Sequence, residues 1–184
     1  MKLKYLARVI ANLFAGFPAA SQGGVMRFDS DGGTPQSAPL KSMSPGVIDL
    51  TAATLTMTEI DHAGRTILSN LAATQTITLP RATGSGAMYR FYVKILKTGD
   101  LIIKVANADD SMLGSIHMLQ DGGDTSIGFE IAAADDTITL NGSTKGGLAG
   151  DRVDICDVLP GLFMVHAWLS GSGSEATPMS AAVS

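Results

Sequence analysis

The chain has little of what most catalytic, membrane-spanning or nucleic-acid-binding proteins depend on. It has one cysteine, Cys156, in 184 residues, so no internal disulfide can form and no cysteine cluster can hold zinc. A lone Cys in an apolar strand is expected to be a small buried hydrophobe. Charged residues make up 16% of the chain, well below the usual quarter, and aromatic residues only 5%. With 45% hydrophobic residues, so little charge suggests surfaces that become covered. The 13 Lys and Arg against 17 Asp and Glu leave a net charge of −4, which disfavours binding DNA or RNA through phosphate neutralisation. No apolar run reaches the roughly eighteen residues of a membrane span, because Arg8 and Asn12 interrupt the one candidate. Neither nucleic acid nor membrane is expected as a partner.

Signatures of chemistry are equally sparse. His62, His117 and His166 share no metal-ligand spacing; His62 is expected in a turn, the other two on strands facing solvent or a subunit contact. Gly171-Ser172-Gly173-Ser174 leads to Glu175 rather than into a helix, unlike a nucleophile elbow. The stretch from Gly142 to Asp151 is glycine-rich, but Lys145 comes before Gly146-Gly147 and a strand pattern follows, so it reads as a wide β-turn and not a phosphate loop. Acidic residues gather at turns: Asp109-Asp110, Asp121 with Asp124, Asp135-Asp136, then Asp151, Asp154 and Asp157. Lacking EF-hand or repeat spacing, they are expected to be solvated turn formers and not a calcium site. A glycosidase would need a cleft with aromatic platforms, and one Trp and three Tyr are few for that. The expectation is a non-enzyme with no catalytic, cofactor or metal residues.

What is present falls into three parts. Residues 1–21 carry an amphipathic helical pattern: Leu3, Leu6, Ile10, Leu13, Phe14 and Phe17 share one face, while Lys4, Arg8 and Asn12 lie opposite. Arg8 and Asn12 fit poorly in the apolar core of a secretory signal, so the stripe reads first as a docking helix that buries those six residues against a protein partner, with a signal cleaved near Phe17-Pro18-Ala19-Ala20-Ser21 and a peripheral membrane anchor as the alternatives. Residues 22–45, with their prolines, glycines and no periodicity, read as an extended linker arm. Residues 46–184 read as the body.

In the body, strand signals recur about every ten residues between Gly, Asn, Asp or Pro. Strands are predicted near 47–50, 54–58, 66–69, 76–79, 88–96, 101–105, 114–119, 126–131, 137–140, 152–158 and 162–169. Thr76-Ile77-Thr78-Leu79 and Thr137-Ile138-Thr139-Leu140 alternate hydroxyl and aliphatic residues, so one face is buried and the other wet. Lys97-Thr98-Gly99-Asp100 reads as a hairpin turn, and Asn141-Gly142 as a tight turn. The fold class is all-β: an antiparallel β-sandwich or jelly-roll-like body behind an N-terminal amphipathic helix and extended arm.

The order of these segments carries a resemblance. Asp61-His62-Ala63-Gly64-Arg65-Thr66-Ile67-Leu68 is followed by Ile77-Thr78-Leu79-Pro80, a Gly84-Ser85-Gly86 turn and a long apolar strand. Then come Asp135 to Gly142, Gly146-Gly147-Leu148-Ala149-Gly150-Asp151-Arg152-Val153, the single Trp168 before Gly171-Ser172-Gly173, and Ala176-Thr177-Pro178. Over roughly residues 50 to 180 the chain resembles structural proteins of tailed-bacteriophage virions, most of all head decoration, or capsid cement, proteins. The resemblance implies a non-enzymatic homotrimer on the outer capsid surface, present in the host cytoplasm during assembly, that clamps the major capsid protein against internal pressure and possesses no catalytic residues. The long arm departs from a minimal cement module and offers a contact to a capsid subunit, a sister subunit or another minor capsid protein. Related β modules occur in tail fibres and baseplates. On that alternative the protein would bind a host surface glycan, with Tyr89, Tyr92 or Trp168 as sugar platforms, although such aromatics more often belong to a core.

Overall fold

A computed structural model describes residues 24–27, 36–39, 46–122 and 125–183. The chain divides into two units, Met1–Pro45 and Gly46–Ser184. In the first, β1 (Gly24–Arg27) pairs antiparallel with β2 (Gln36–Pro39), so the segment expected to be an extended linker contains a strand pair. The expected N-terminal helix, with Leu3, Leu6, Ile10, Leu13, Phe14 and Phe17, lies outside the described residues.

The second unit is an all-β sandwich, and each of the eleven strands expected from the spacing is present. Its first six strands are β3 (Val47–Leu50), β4 (Thr54–Thr56), β5 (Thr66–Ser69), β6 (Gln75–Thr78), β7 (Met88–Val93) and β8 (Leu101–Lys104). A short helix, α1 (Glu59–His62), capped by the Thr58 side chain, lies between β4 and β5 and carries His62. These six strands alternate between the two sheets. β3, β5 and β7 stack in parallel in one, and β4, β6 and β8 stack in parallel in the other. The chain thus winds as a two-sheet coil, each turn taking roughly twenty to twenty-five residues, a length typical of solenoid repeats.

The remaining strands complete both sheets: β9 (Ser111–Gln120), β10 (Ser126–Glu130), β11 (Thr137–Leu140), β12 (Arg152–Leu159), β13 (Leu162–Gly171) and β14 (Met179–Ser180). One sheet has the order β10-β9-β13-β12-β7-β5-β3 and the other β14-β11-β8-β6-β4. β12 joins β7 and β13 antiparallel, whereas β13 pairs with β9 in parallel, so both sheets are mixed in direction. The two Thr-Ile-Thr-Leu segments lie on either side of β8, one parallel to it and one antiparallel.

The core follows from the register. Ile48, Ile67, Phe91, Val153, Ala167, Ile116 and Phe129 form one inward row across the seven strands. Leu55, Ile77, Ile103, Ile138 and Met179 form the corresponding row across the five. All belong to one apolar cluster. Burying each large aliphatic side chain contributes about 1.5–3 kcal/mol, and this removal of apolar surface from water is what holds the sheets together.

Two turn readings change. Residues Lys97 to Asp100 do not close a hairpin; they carry the chain from β7 in one sheet to β8 in the other. Lys97 is buried there, its Nζ donating to Ala73 O at 3.0 Å and to Leu71 O. One coil earlier, Gln75 Nε2 donates to Ala52 O at 2.7 Å and Leu50 O at 3.1 Å. Each of these two corners thus presents carbonyls that a side chain from the following coil satisfies. The acidic turns also differ from expectation, because Asp110, Asp136, Asp151 and Asp157 are buried. Asp157 accepts from the amides of Thr83, Gly84 and Ser85 and from the Thr83 and Ser85 hydroxyls. Asp136 accepts from Ala182 and Val183 amides, and Asp110 from the Ala82 amide and Asn107. These carboxylates staple loops by giving their N–H groups a charged acceptor.

Candidate partner-binding face

Alternation along the strands sends every second residue of the seven-stranded sheet outward, and the register aligns those residues in rows. One row reads His117, Trp168, Arg152, Tyr92, Leu68, Asp49 across β9, β13, β12, β7, β5 and β3. The adjacent row reads Glu130, Ser115, His166, Asp154, Arg90, Thr66, Val47. His117 and His166 are exposed on these strands, neighbours across the sheet to Trp168 and Asp154.

At the centre, Arg152 lies between two rings. Its guanidinium carbon is 5.2 Å from the Trp168 ring centroid and 5.8 Å from that of Tyr92, within cation–π range. Its other contact is Asp154, which it shares with Arg90: Arg152 Nε and Arg90 Nε each donate to Asp154 Oδ1 at 3.0 Å, and Arg152 Nη2 donates to Oδ2. Burial works to raise the Asp154 carboxyl, but the hydrogen bonds and charges of the two arginines outweigh it and hold it below its ordinary value. Asp154 is only 12% exposed while the Arg90 side chain is 45% exposed, so the acid is a fixed base on which the arginines are positioned. Trp168 remains 52% exposed. Beside it, a hollow of about 250 Å³ is lined by His117, Leu119, Gly150, Asp151, Leu169 and Ser170.

Among the aromatics considered as sugar platforms, Trp168 and Tyr92 face outward, whereas Tyr89 is buried in the core, where burial pushes its hydroxyl up to about 12. Cys156 differs from expectation: it is half-buried on the outward side of β12, with Met88 and Met164 as register neighbours. Asp151, Asp154 and Asp157 do not converge on one point. Asp151 accepts from the Gly147, Leu148 and Ser170 amides, Asp154 pairs with the arginines, and Asp157 holds the 83–85 loop. The sequence reading missed Arg90, Arg152 and Asp154. Period-two alternation assigns Arg152, Asp154 and Cys156 to one face, but only the strand order sets Tyr92 and Trp168 on either side of Arg152.

The other outer face has different chemistry. Thr54 and Thr76 face Ile102 and Thr139 in one row, and Thr56 and Thr78 face Lys104 in the next. Comparisons of the chain with family models, with curated proteins and with solved structures find no match.

Proposed function

We propose that this protein is a non-enzymatic structural component of a tailed-bacteriophage virion that decorates the outer capsid and stabilises it by clamping major capsid protein subunits. The outer face of the seven-stranded sheet would be its docking surface. The observation that carries this is the half-exposed Trp168, positioned by Arg152 beside Tyr92. Trp, Tyr and Arg supply most of the energy of protein interfaces when they sit in a pre-positioned central patch. Low overall charge and the order of segments in the body support the same reading. The apolar stripe of Leu3, Leu6, Ile10, Leu13, Phe14 and Phe17 is proposed as a second contact, to a capsid subunit, a sister subunit of a homotrimer or a minor capsid protein.

The alternative, a tail-fibre or baseplate module that binds a host surface glycan, draws on the same indole and the hollow beside it, lined by His117 and Ser170. Counting copies in purified particles separates the two: hundreds per particle are expected for decoration, and tens or fewer overturn it. On particles stripped of the protein, Trp168→Ala is expected to rebind roughly thirtyfold more weakly, a loss of about 2 kcal/mol at an interface hot spot, with an unchanged melting temperature. Undiminished rebinding would remove this face from the interface.

A further inference from the structure

Where the coil passes from α1 into β5, two arginines meet at a small hollow of about 110 Å³ lined by Gly64, Arg65, Thr66, Met88 and Arg90. Thr66 and Arg90 are register partners on adjacent parallel strands and so leave the sheet side by side. Arg90 is held from its far side by Asp154, which engages only Nε and leaves the terminal fork of the guanidinium without a partner among the described residues. Arg65 is tied by Nη1 to Asp61 O at 3.2 Å, while its Nε is buried with no hydrogen-bond partner. A buried guanidinium N–H left unmatched costs free energy, and an incoming acceptor recovers it once the Arg65 side chain turns Nε into the hollow. No carboxylate lines the hollow: Asp154 is committed to the arginine pair, and Asp61 Oδ2 accepts from Thr58 Oγ1 at 2.6 Å. Nor do backbone amides serve it. Gly64 N–H donates to Met88 O at 2.7 Å and Thr66 N–H to Gly46 O at 3.3 Å.

We propose that this hollow is an oxyanion site, built from Arg65, Arg90 and Thr66, that takes the carboxylate of an acidic side chain on a protein partner. Two guanidiniums and a hydroxyl offer several N–H and O–H donors and no acceptor beyond the hydroxyl oxygen. A planar guanidinium fork matches a carboxylate in two parallel hydrogen bonds. The site shares the outer face with the proposed docking surface, but it can be tested without any particle.

The test is a titration of the full chain at constant ionic strength, followed by NMR at the arginine Nε–H and Thr66 resonances. The probes are sodium acetate, inorganic phosphate, a short peptide with acetylated N-terminus and amidated C-terminus containing one Glu, and the same capped peptide with Gln. Saturable shifts at Arg65 and Thr66 are expected with the first three probes and not with the Gln peptide. Half-saturation should come about tenfold later in Arg90→Gln, as for loss of one charge-assisted interaction. Arg65→Lys, which keeps the charge but removes Nε, should weaken binding as well, and unchanged melting temperatures would show that both variants are folded. Saturation at a lower concentration of Glu peptide than of acetate supports a partner side chain as the source. Equal affinities overturn that assignment in favour of a free anion, and linear shifts, or shifts unaffected by either variant, overturn the site itself.

Discussion

The two ends of the sandwich tie their backbone with different sets of side chains. At the end where β3, β5 and β7 hand over to the other sheet, the donors Gln75 and Lys97 satisfy corner carbonyls, and one carboxylate, Asp151, accepts from the Gly147, Leu148 and Ser170 amides. At the opposite end all three ties are carboxylates: Asp110, Asp136 and Asp157 accept from loop amides. Burial lowers the Lys97 ammonium from its ordinary value. Burial also works to raise the Asp157 carboxyl, but hydrogen bonds from Thr83, Gly84 and Ser85 outweigh it and the net shift is downward. At Asp157 the surrounding donors outweigh desolvation, whereas Lys97, facing neutral acceptors, still bears part of its desolvation cost, and so does Asp151 despite its three amide donors. The contrast shows that a buried ionisable group can be mainly a tie for backbone, with no part in chemistry.

The largest effect that would sharpen this contrast comes from glycine. Gly142 sits at the lysine end with φ +77°, and a Cβ there would lie 1.9 Å from Lys97 O. Gly86, at the aspartate end, has the same φ of +77° but open space around the added carbon. Denaturant unfolding should show Gly142→Ala losing about 4 kcal/mol or more, enough to unfold a marginal domain, against about 1 kcal/mol for Gly86→Ala. Similar losses at both sites would mean that the lysine-end corner yields freely.

A smaller difference is expected between the ties themselves. Asp157→Ala leaves three amides and two hydroxyls without their acceptor and should cost about 3 kcal/mol. Lys97→Met strands two carbonyls but also removes a desolvated charge, so about 1–2 kcal/mol is expected. Equal losses by thermal or chemical denaturation would break the comparison.

The smallest effect is a slope against pH. Because the folded Asp157 value lies below its ordinary 3.8, its contribution is present above 3.8 and lost as pH falls through the lower folded value. Asp151 runs the other way: burial raises it despite three amide donors, so acidification from its raised value towards 3.8 relieves a cost. The parent should therefore lose stability as pH falls below about 4, and Asp157→Asn should flatten that slope. An unchanged slope would shift the acid sensitivity to another carboxylate.

Much of the body was legible because alternation reports burial directly. Thr66–Ser69 and Thr137–Leu140 form strands where their patterns put them, although Thr137, expected on the wet face, is buried with its hydroxyl donating to Asp136 Oδ1 at 2.7 Å. Direction was not legible, since a period of two is the same in parallel and antiparallel ladders. Nor was the hand-over from β7 to β8, because Lys97-Thr98-Gly99-Asp100 has the composition of a surface turn and its buried lysine is explained only by the carbonyls of the preceding coil. The outward row at Arg152 needed three strands from distant parts of the chain to come together.

The alternation of β3 to β8 between sheets also fixes how the molecule can come apart. A sandwich built from one sheet and then the other can shed a layer, but here removing either layer cuts the chain at every corner from β3 to β8. The layers have no separate stability to lose, so this half of the body should melt as one cooperative unit, and a partner gripping only the seven-stranded face would steady the five-stranded one as well.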